Sequence, residues 1–164
     1  MKAEAVTFRA CEHRLALAVA EARCDGGDDA ARPARYGLAG RPLGIDMLGA
    51  AGELAAALVY GLPWTGCYYR HLPSKPADIG TCIDVRTRSE HWHDLIVHRE
   101  DRDDWFYVLV TTTAELDDDE PPTLYVHGHI KGDRAKNEDW WHDPAGGRPA
   151  FFAPKDVLDP PVML

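Results

Sequence analysis

From Met47 to Tyr60 the chain reads MLGAAGELAAALVY, a stretch with one charged side chain, Glu53. The composition predicts a helix, stopped by Gly61 and Pro63. A helix apolar on nearly all sides has to be covered by other elements. The fold must therefore wrap packed structure around this segment. It must also accommodate Glu53. A buried carboxylate is costly unless it is paired, hydrogen-bonded or metal-bound. In the ordinary case Glu53 lies at the helix margin and reaches water, or pairs with an arginine. In the functional case it binds a metal ion.

The 164 residues suit a single domain over 1 to 164. Phe8 to Arg23 reads as an amphipathic helix, and residues 25 to 46, rich in Gly, Asp, Pro and Arg, as a long loop. Strands are expected at roughly 79–88, 93–99, 105–113 and 123–131, with a last short strand in PAFFAP and a helical turn from Lys155 to Leu158. Trp140-Trp141 could begin or cap a helix. This order predicts an α+β class, with N-terminal helices followed by a mixed, mainly antiparallel sheet. In LYVHGHIK, strict alternation would set Leu124, Val126 and Ile130 opposite Tyr125, His127, His129 and Lys131.

With 27 acidic and 18 basic side chains the chain carries a formal charge of -9, which argues against nucleic-acid binding by bulk electrostatics. The charge is uneven. Residues 101 to 120 hold eight acids and one base, whereas residues 31 to 88 hold seven bases and four acids, or +3. The acidic run Asp117 to Glu120 reads as an exposed loop. No apolar run approaches the ~20 residues of a membrane span, and the N-terminus lacks a secretory pattern, so a cytoplasmic protein is expected. Cys11, Cys24, Cys67 and Cys82 are scattered without a C-x-x-C pair, and reduced thiols in or near the core are expected.

Asp78, in KPADIG, precedes the first expected strand. Asp84 falls in mid-strand, where aspartate is disfavoured, and Arg86 shares its face. Taken singly, Asp84 and Arg86 make an ordinary surface ion pair. Together with Glu53, the carboxylates could converge on one point. Crowded carboxylates repel unless a cation binds, and hard ions such as Mg²⁺ or Mn²⁺ take oxygen ligands.

GAAGELA, ADIG and IDVRT, in this order, resemble the PD-(D/E)XK (restriction-endonuclease-like) nuclease superfamily. YVLV, VHGHIKG and GRPAFFAPKDVL are similar to segments of small nuclease-like proteins of phages and mobile elements. The resemblance implies a restriction-endonuclease-like core and Mg²⁺- or Mn²⁺-dependent hydrolysis of phosphodiester bonds in DNA. It implies that Asp78 and Asp84 bind metal with the backbone carbonyl of Val85, and that Glu53 binds directly or through water. Arg86 stands where the family has lysine. A guanidinium can stabilise a phosphate but is a poor proton acceptor. Arg70, Lys75 and Arg88 are the weaker candidates for nucleic-acid contacts. The oligomeric state stays open, a homodimer included.

Two other readings compete. An inactive nuclease-like module would bind DNA or a host protein, and the five tryptophans, Trp140-Trp141 first, could serve it. A histidine-ligated metalloprotein would use His91 with His93, or His127 with His129, each pair sharing a face if its segment is a strand, with His98 and His142 as further candidates. His91 or His93 could instead contact a phosphate in the nuclease cleft.

Overall fold

The computed structural model describes residues 2–25, 42–66, 76–112, 121–144 and 146–162. The class is α+β, in three layers. Helices α1 (Ala10–Asp25) and α2 (Pro42–Tyr60) cover one face of a four-stranded sheet, and a three-stranded sheet covers the other. The larger sheet has the order β1 (Glu4–Thr7), β5 (Thr123–Lys131), β4 (Phe106–Thr111), β2 (Ile83–Arg88). The smaller has the order β3 (Leu95–Val97), β7 (Ala150–Ala153), β6 (Trp141–His142). A single short helical turn, α3 (Gly132–Ala135), follows β5.

Local chemistry accounts for the helix limits. Glu12, at the third position of α1, accepts the backbone N–H of Arg9 at 2.8 Å, half of a capping box. Pro42 opens α2, where its missing N–H costs nothing. Gly61 ends it in the left-handed region at φ 63°, and the Leu62 N–H returns to the Ala57 carbonyl at 3.1 Å, a Schellman closure. The expected loop therefore ends earlier than residue 46; its remainder, residues 26–41, lies outside the described residues.

The first core joins Ala16 and Ala20 of α1 to the alanine-rich face of α2 and to Ile83, Val85, Val108, Val110, Leu124 and Val126 of the sheet. The second lies between Tyr107, Leu109 and Ile130 and the smaller sheet's Leu95, Val97, Phe151 and Ala153. Side chains alternate along β2: Ile83 and Val85 face the helices, and Arg86 faces the Tyr107 ring on the other side. At Gly52 a Cβ would overlap the Thr87 side chain, so the residue next to Glu53 lets α2 lie directly on β2.

β2 pairs with β4 in parallel, and the other strand pairs among the described residues are antiparallel. A parallel pair needs a long crossover, and residues 89–105 make it by way of β3 in the second sheet. The sequence signals neither this excursion nor β1.

The alternation expected along β5 is broken. The pairing register shifts between Leu109 and Val110 of β4, opposite His127 and Gly128. This bulge turns Ile130 to the second core while Leu124 and Val126 stay in the first. His127 thus meets Thr111, its Nε2 2.8 Å from Thr111 Oγ1, whereas His129 turns to Tyr60 of α2, its Nδ1 2.9 Å from the phenol oxygen. The two histidines leave the strand on opposite faces and cannot form the shared-face pair expected from H-x-H. His91 and His93 lie in a turn, so the strand premise fails for them as well.

Trp140 and Trp141 are half-buried, the first closing a 3₁₀ turn (Glu138–Trp140) and the second opening β6. Of the cysteines, Cys82 is a half-buried thiol, while Cys11 is exposed, contrary to expectation. Cys67, the Cys24 side chain and the run Asp117 to Glu120 lie outside the described residues. No helix among the described residues is long and apolar enough to cross a membrane.

Candidate functional site at the β2 edge

Three acidic side chains are buried among the described residues: Glu53 (7% exposed), Asp78 (6%) and Asp84 (4%). They are the three carboxylates singled out in the sequence. Each comes from a different piece of chain, and all three pieces adjoin β2, the edge strand of the larger sheet.

Asp78 is held in a tight reversal rather than in a strand. Gly80, at φ 57°, turns the chain so that the N–H groups of Asp78 and Ile79 both reach the Ile83 carbonyl, at 2.9 and 3.3 Å. Thr65 ties the other side: its hydroxyl donates to the carbonyls of Ala77 and Asp78, and its N–H reaches the Asp78 carbonyl at 3.1 Å. The Asp78 carboxylate then accepts the N–H of Val85 at 2.8 Å. Asp78 therefore lies along the outer edge of β2, beside the backbone of Val85. The Val85 side chain faces the helices.

Asp84 and Arg86 share the opposite face of β2. Arg86 Nε lies 3.2 Å from Asp84 Oδ1, and an Arg86 terminal nitrogen donates to Asp101 Oδ2 at 2.9 Å. The guanidinium sits 5.6 Å from the Tyr107 ring centroid. Burial lowers the Arg86 pKa, but Asp84, Asp101 and Asp78 together raise it above its ordinary value. Three carboxylates thus bear on one guanidinium, which stays protonated. Tyr107 is pushed up to about 12, chiefly by burial and then by Asp101 and Asp84.

Asp101 is the member of this group that sequence reasoning missed. It lies in the acid-rich turn HREDRDD, where nothing in the spacing separates it from Asp103 or Asp104. Its carboxylate also accepts the His98 N–H at 2.8 Å, which locks the turn against Arg86.

Glu53 takes the ordinary course for a buried acid. Arg23, from the last turn of α1, grips it in a two-pronged pair at 2.9 and 2.7 Å. The Trp64 indole N–H adds a third bond at 2.9 Å. Glu53 thereby ties α1, α2 and the segment leading to Asp78 together.

The donors near β2 are hard oxygens, which suit Mg²⁺ or Mn²⁺ better than softer metals. Among the described residues no group of three or more His, Cys, Asp or Glu side chains is arranged to hold a metal ion. Mg²⁺ commonly takes only one or two carboxylates, with water and substrate phosphate completing its octahedron. Asp78, Asp84 and the Val85 carbonyl are oxygen donors of that type. Both oxygens of Glu53 are already engaged.

Arg88 continues the face of Asp84 and Arg86, at the far end of β2. Burial lowers its pKa, and Asp94 only partly offsets this. Arg70 and Lys75 lie outside the described residues. No family model, curated protein or solved structure matches the chain.

Proposed function

We propose that the protein is a metal-dependent nuclease of the PD-(D/E)XK kind, hydrolysing phosphodiester bonds in DNA at the β2 edge. One observation carries the reading: the acidic side chains buried among the described residues are the same three, on a helix, a turn and an edge strand that adjoin one another. Asp78 and Asp84 would hold Mg²⁺ or Mn²⁺ together with the Val85 carbonyl. Bound there, the ion would polarise a phosphoryl oxygen and lower the pKa of a coordinated water. Arg86 remains a cation across the working pH range, so its role is to steady the phosphate and the charge developing on it. It is no proton acceptor. Glu53 acts through position, holding α2 and the Trp64 segment against β2, and would reach a metal only by releasing Arg23.

A second reading has its own observation. Arg86 already places positive charge between Asp84 and Asp101. A guanidinium in that place suits a nuclease-like module that binds DNA without cutting it.

A cleavage assay on single- and double-stranded DNA separates the two. Wild type, Asp84→Ala and Arg86→Lys are compared in Mg²⁺, Mn²⁺ and EDTA. The nuclease reading expects cleavage by wild type that EDTA abolishes and Asp84→Ala loses by at least ~100-fold, the scale of one lost group acting on the transition state. No cleavage by folded wild type with either metal sinks it in favour of the binding module.

A further inference from the structure

Among the large hydrophobic side chains exposed in the described residues, one is aromatic: Trp92, 62% exposed. It lies in the turn that follows β2. His91 and His93 flank it edge-on, with ring centroids at 4.9 and 5.8 Å, so the indole is braced although it faces water. Beneath it the turn is fastened to the C-terminal segment, where the Lys155 ammonium donates to the His91 carbonyl. Arg88, at the end of β2, acts together with Lys155 on His93 and Asp94, and it shares its strand face with Asp84 and Arg86. At the rise of a strand, Arg88 is ~13 Å from Asp84, the span of a few nucleotides.

We infer that Trp92, with Arg88 and Lys155 behind it, is a platform on which an unpaired base stacks, so that the strand delivered to the β2 edge is single-stranded DNA. The inference rests on the nuclease reading for its substrate class and adds which form of DNA is taken. A paired base offers its face to its neighbours in the stack, and a braced, solvent-facing indole can use only a base that has left that stack. Bulk charge cannot do this work. The chain is acidic overall, Asp94 bears on both cations, and Glu90 bears on His93 beside them. Stacking must supply much of the affinity, with the cations contacting the phosphate. Arg88 and Lys155 suit that contact. Both are held below their ordinary pKa because burial outweighs the attraction of Asp94, so an additional anion would be stabilising.

The test measures binding in EDTA, where cleavage plays no part. Fluorescence anisotropy of a labelled oligothymidylate and of a labelled duplex is recorded with the full chain as wild type, Trp92→Ala, Trp92→Phe and Lys155→Gln. Trp92→Ala should weaken oligothymidylate binding roughly 5- to 150-fold, the range found when a stacking aromatic is truncated. Trp92→Phe should stay within a few-fold of wild type, and Lys155→Gln should lower the salt slope by about one. Duplex binding should be weaker than single-strand binding and insensitive to Trp92. Unchanged melting of Trp92→Ala confirms that the exposed position is not needed for folding. Equal single-strand binding by wild type and Trp92→Ala overturns the inference, as does duplex preference or no binding by wild type. Binding that follows Trp92 without any metal-dependent cleavage removes the nuclease reading alone. Cleavage that ignores Trp92 removes the platform alone.

Discussion

Replacing Arg23 by methionine tests what Glu53 does. Arg23 and Glu53 meet through two bonds of 2.9 and 2.7 Å, with side chains only 13% and 9% exposed. Removing one member of a buried pair strands the other's charge and typically costs ~3–5 kcal/mol. For a chain of this length each kcal/mol moves Tm by about 2–4 °C, so Arg23→Met should lower Tm by about 6–20 °C. Glu53→Gln keeps the shape and an oxygen for the Trp64 indole, yet leaves the guanidinium facing a neutral group. The double variant removes both charges. It should be less destabilised than the sum of the singles, by at least ~2 kcal/mol of coupling. Urea and thermal unfolding at pH 7.5 in EDTA, followed by tryptophan fluorescence, give the cycle without any metal. A loss under ~1 kcal/mol for Arg23→Met, or strictly additive singles, would refute the claim that Glu53 is a buried charge held by Arg23. Repeating the melts with Mg²⁺ adds a functional arm. A ligand that binds only the folded state raises Tm. A rise confined to Arg23→Met would mean that the freed carboxylate, and not the native one, meets the ion.

Two further perturbations test the β5 bulge. Burial, and then Lys155, hold His127 down at about 4, against 6.5 for the free side chain. Its contribution to stability is therefore complete above pH 6.5. It is lost as pH falls towards 4, because the unfolded chain takes up a proton that the folded one refuses. After allowing for solvent at this half-buried ring the loss is about 1–2 kcal/mol, and His129 and His93 shift in the same direction. Urea unfolding at pH 7.5 and 5.0 should show it, with a smaller drop in His127→Gln; a pH-independent wild type contradicts it. Gly128→Ala should cost ~2–4 kcal/mol, because φ is 141° and a Cβ would overlap the Asp159 carbonyl. Gly61→Ala, with open space around it, should cost only its left-handed strain of ~1 kcal/mol, so equal melting temperatures for the two variants would count against the packing argument.

Which parts of this fold were legible follows from the range of the signal. The α2 helix and β5 announce themselves by composition and length, and β5 spans Thr123–Lys131 as read. The mid-strand Asp84 and the lone Glu53 stand out because each violates a local preference, and both prove buried. Asp101 violates nothing locally, being one acid among several in a turn; only the crossover through β3 brings it to Arg86. Which arginine would meet Glu53 was equally hidden, since it depends on how α1 lies on α2. The β5 bulge was invisible for another reason. Strict alternation in VHGHI looks complete, and the extra residue shows only against the register of β4. Gly128 is the local trace of it, a glycine where the backbone of Asp159 comes close enough to exchange two hydrogen bonds with His129.

The arginine at position 86 has a structural reason that a lysine would not satisfy. Asp84 and Asp101 reach Arg86 from different pieces of chain, one on β2 and one in the turn beyond β3. The planar guanidinium spreads its charge, with Nε 3.2 Å from Asp84 and a terminal nitrogen 2.9 Å from Asp101, while it lies near the Tyr107 ring, whereas an ammonium is a single point. Arg86 therefore fastens the crossover to the edge strand while it presents positive charge beside Asp84 and Asp78. Three carboxylates, from β2, the turn at Asp78 and the turn beyond β3, thus bear on this one guanidinium. The same geometry explains why Arg86 is no idle substitute for lysine in either functional reading. In a nuclease it holds the site's shape and meets the phosphate. In a binding module it replaces the ion. Arg86→Lys separates these roles because it keeps the charge and removes the fork. Lost stability with metal-dependent cleavage retained assigns the fork to the scaffold, and lost cleavage in a protein that still melts like wild type assigns it to the phosphate.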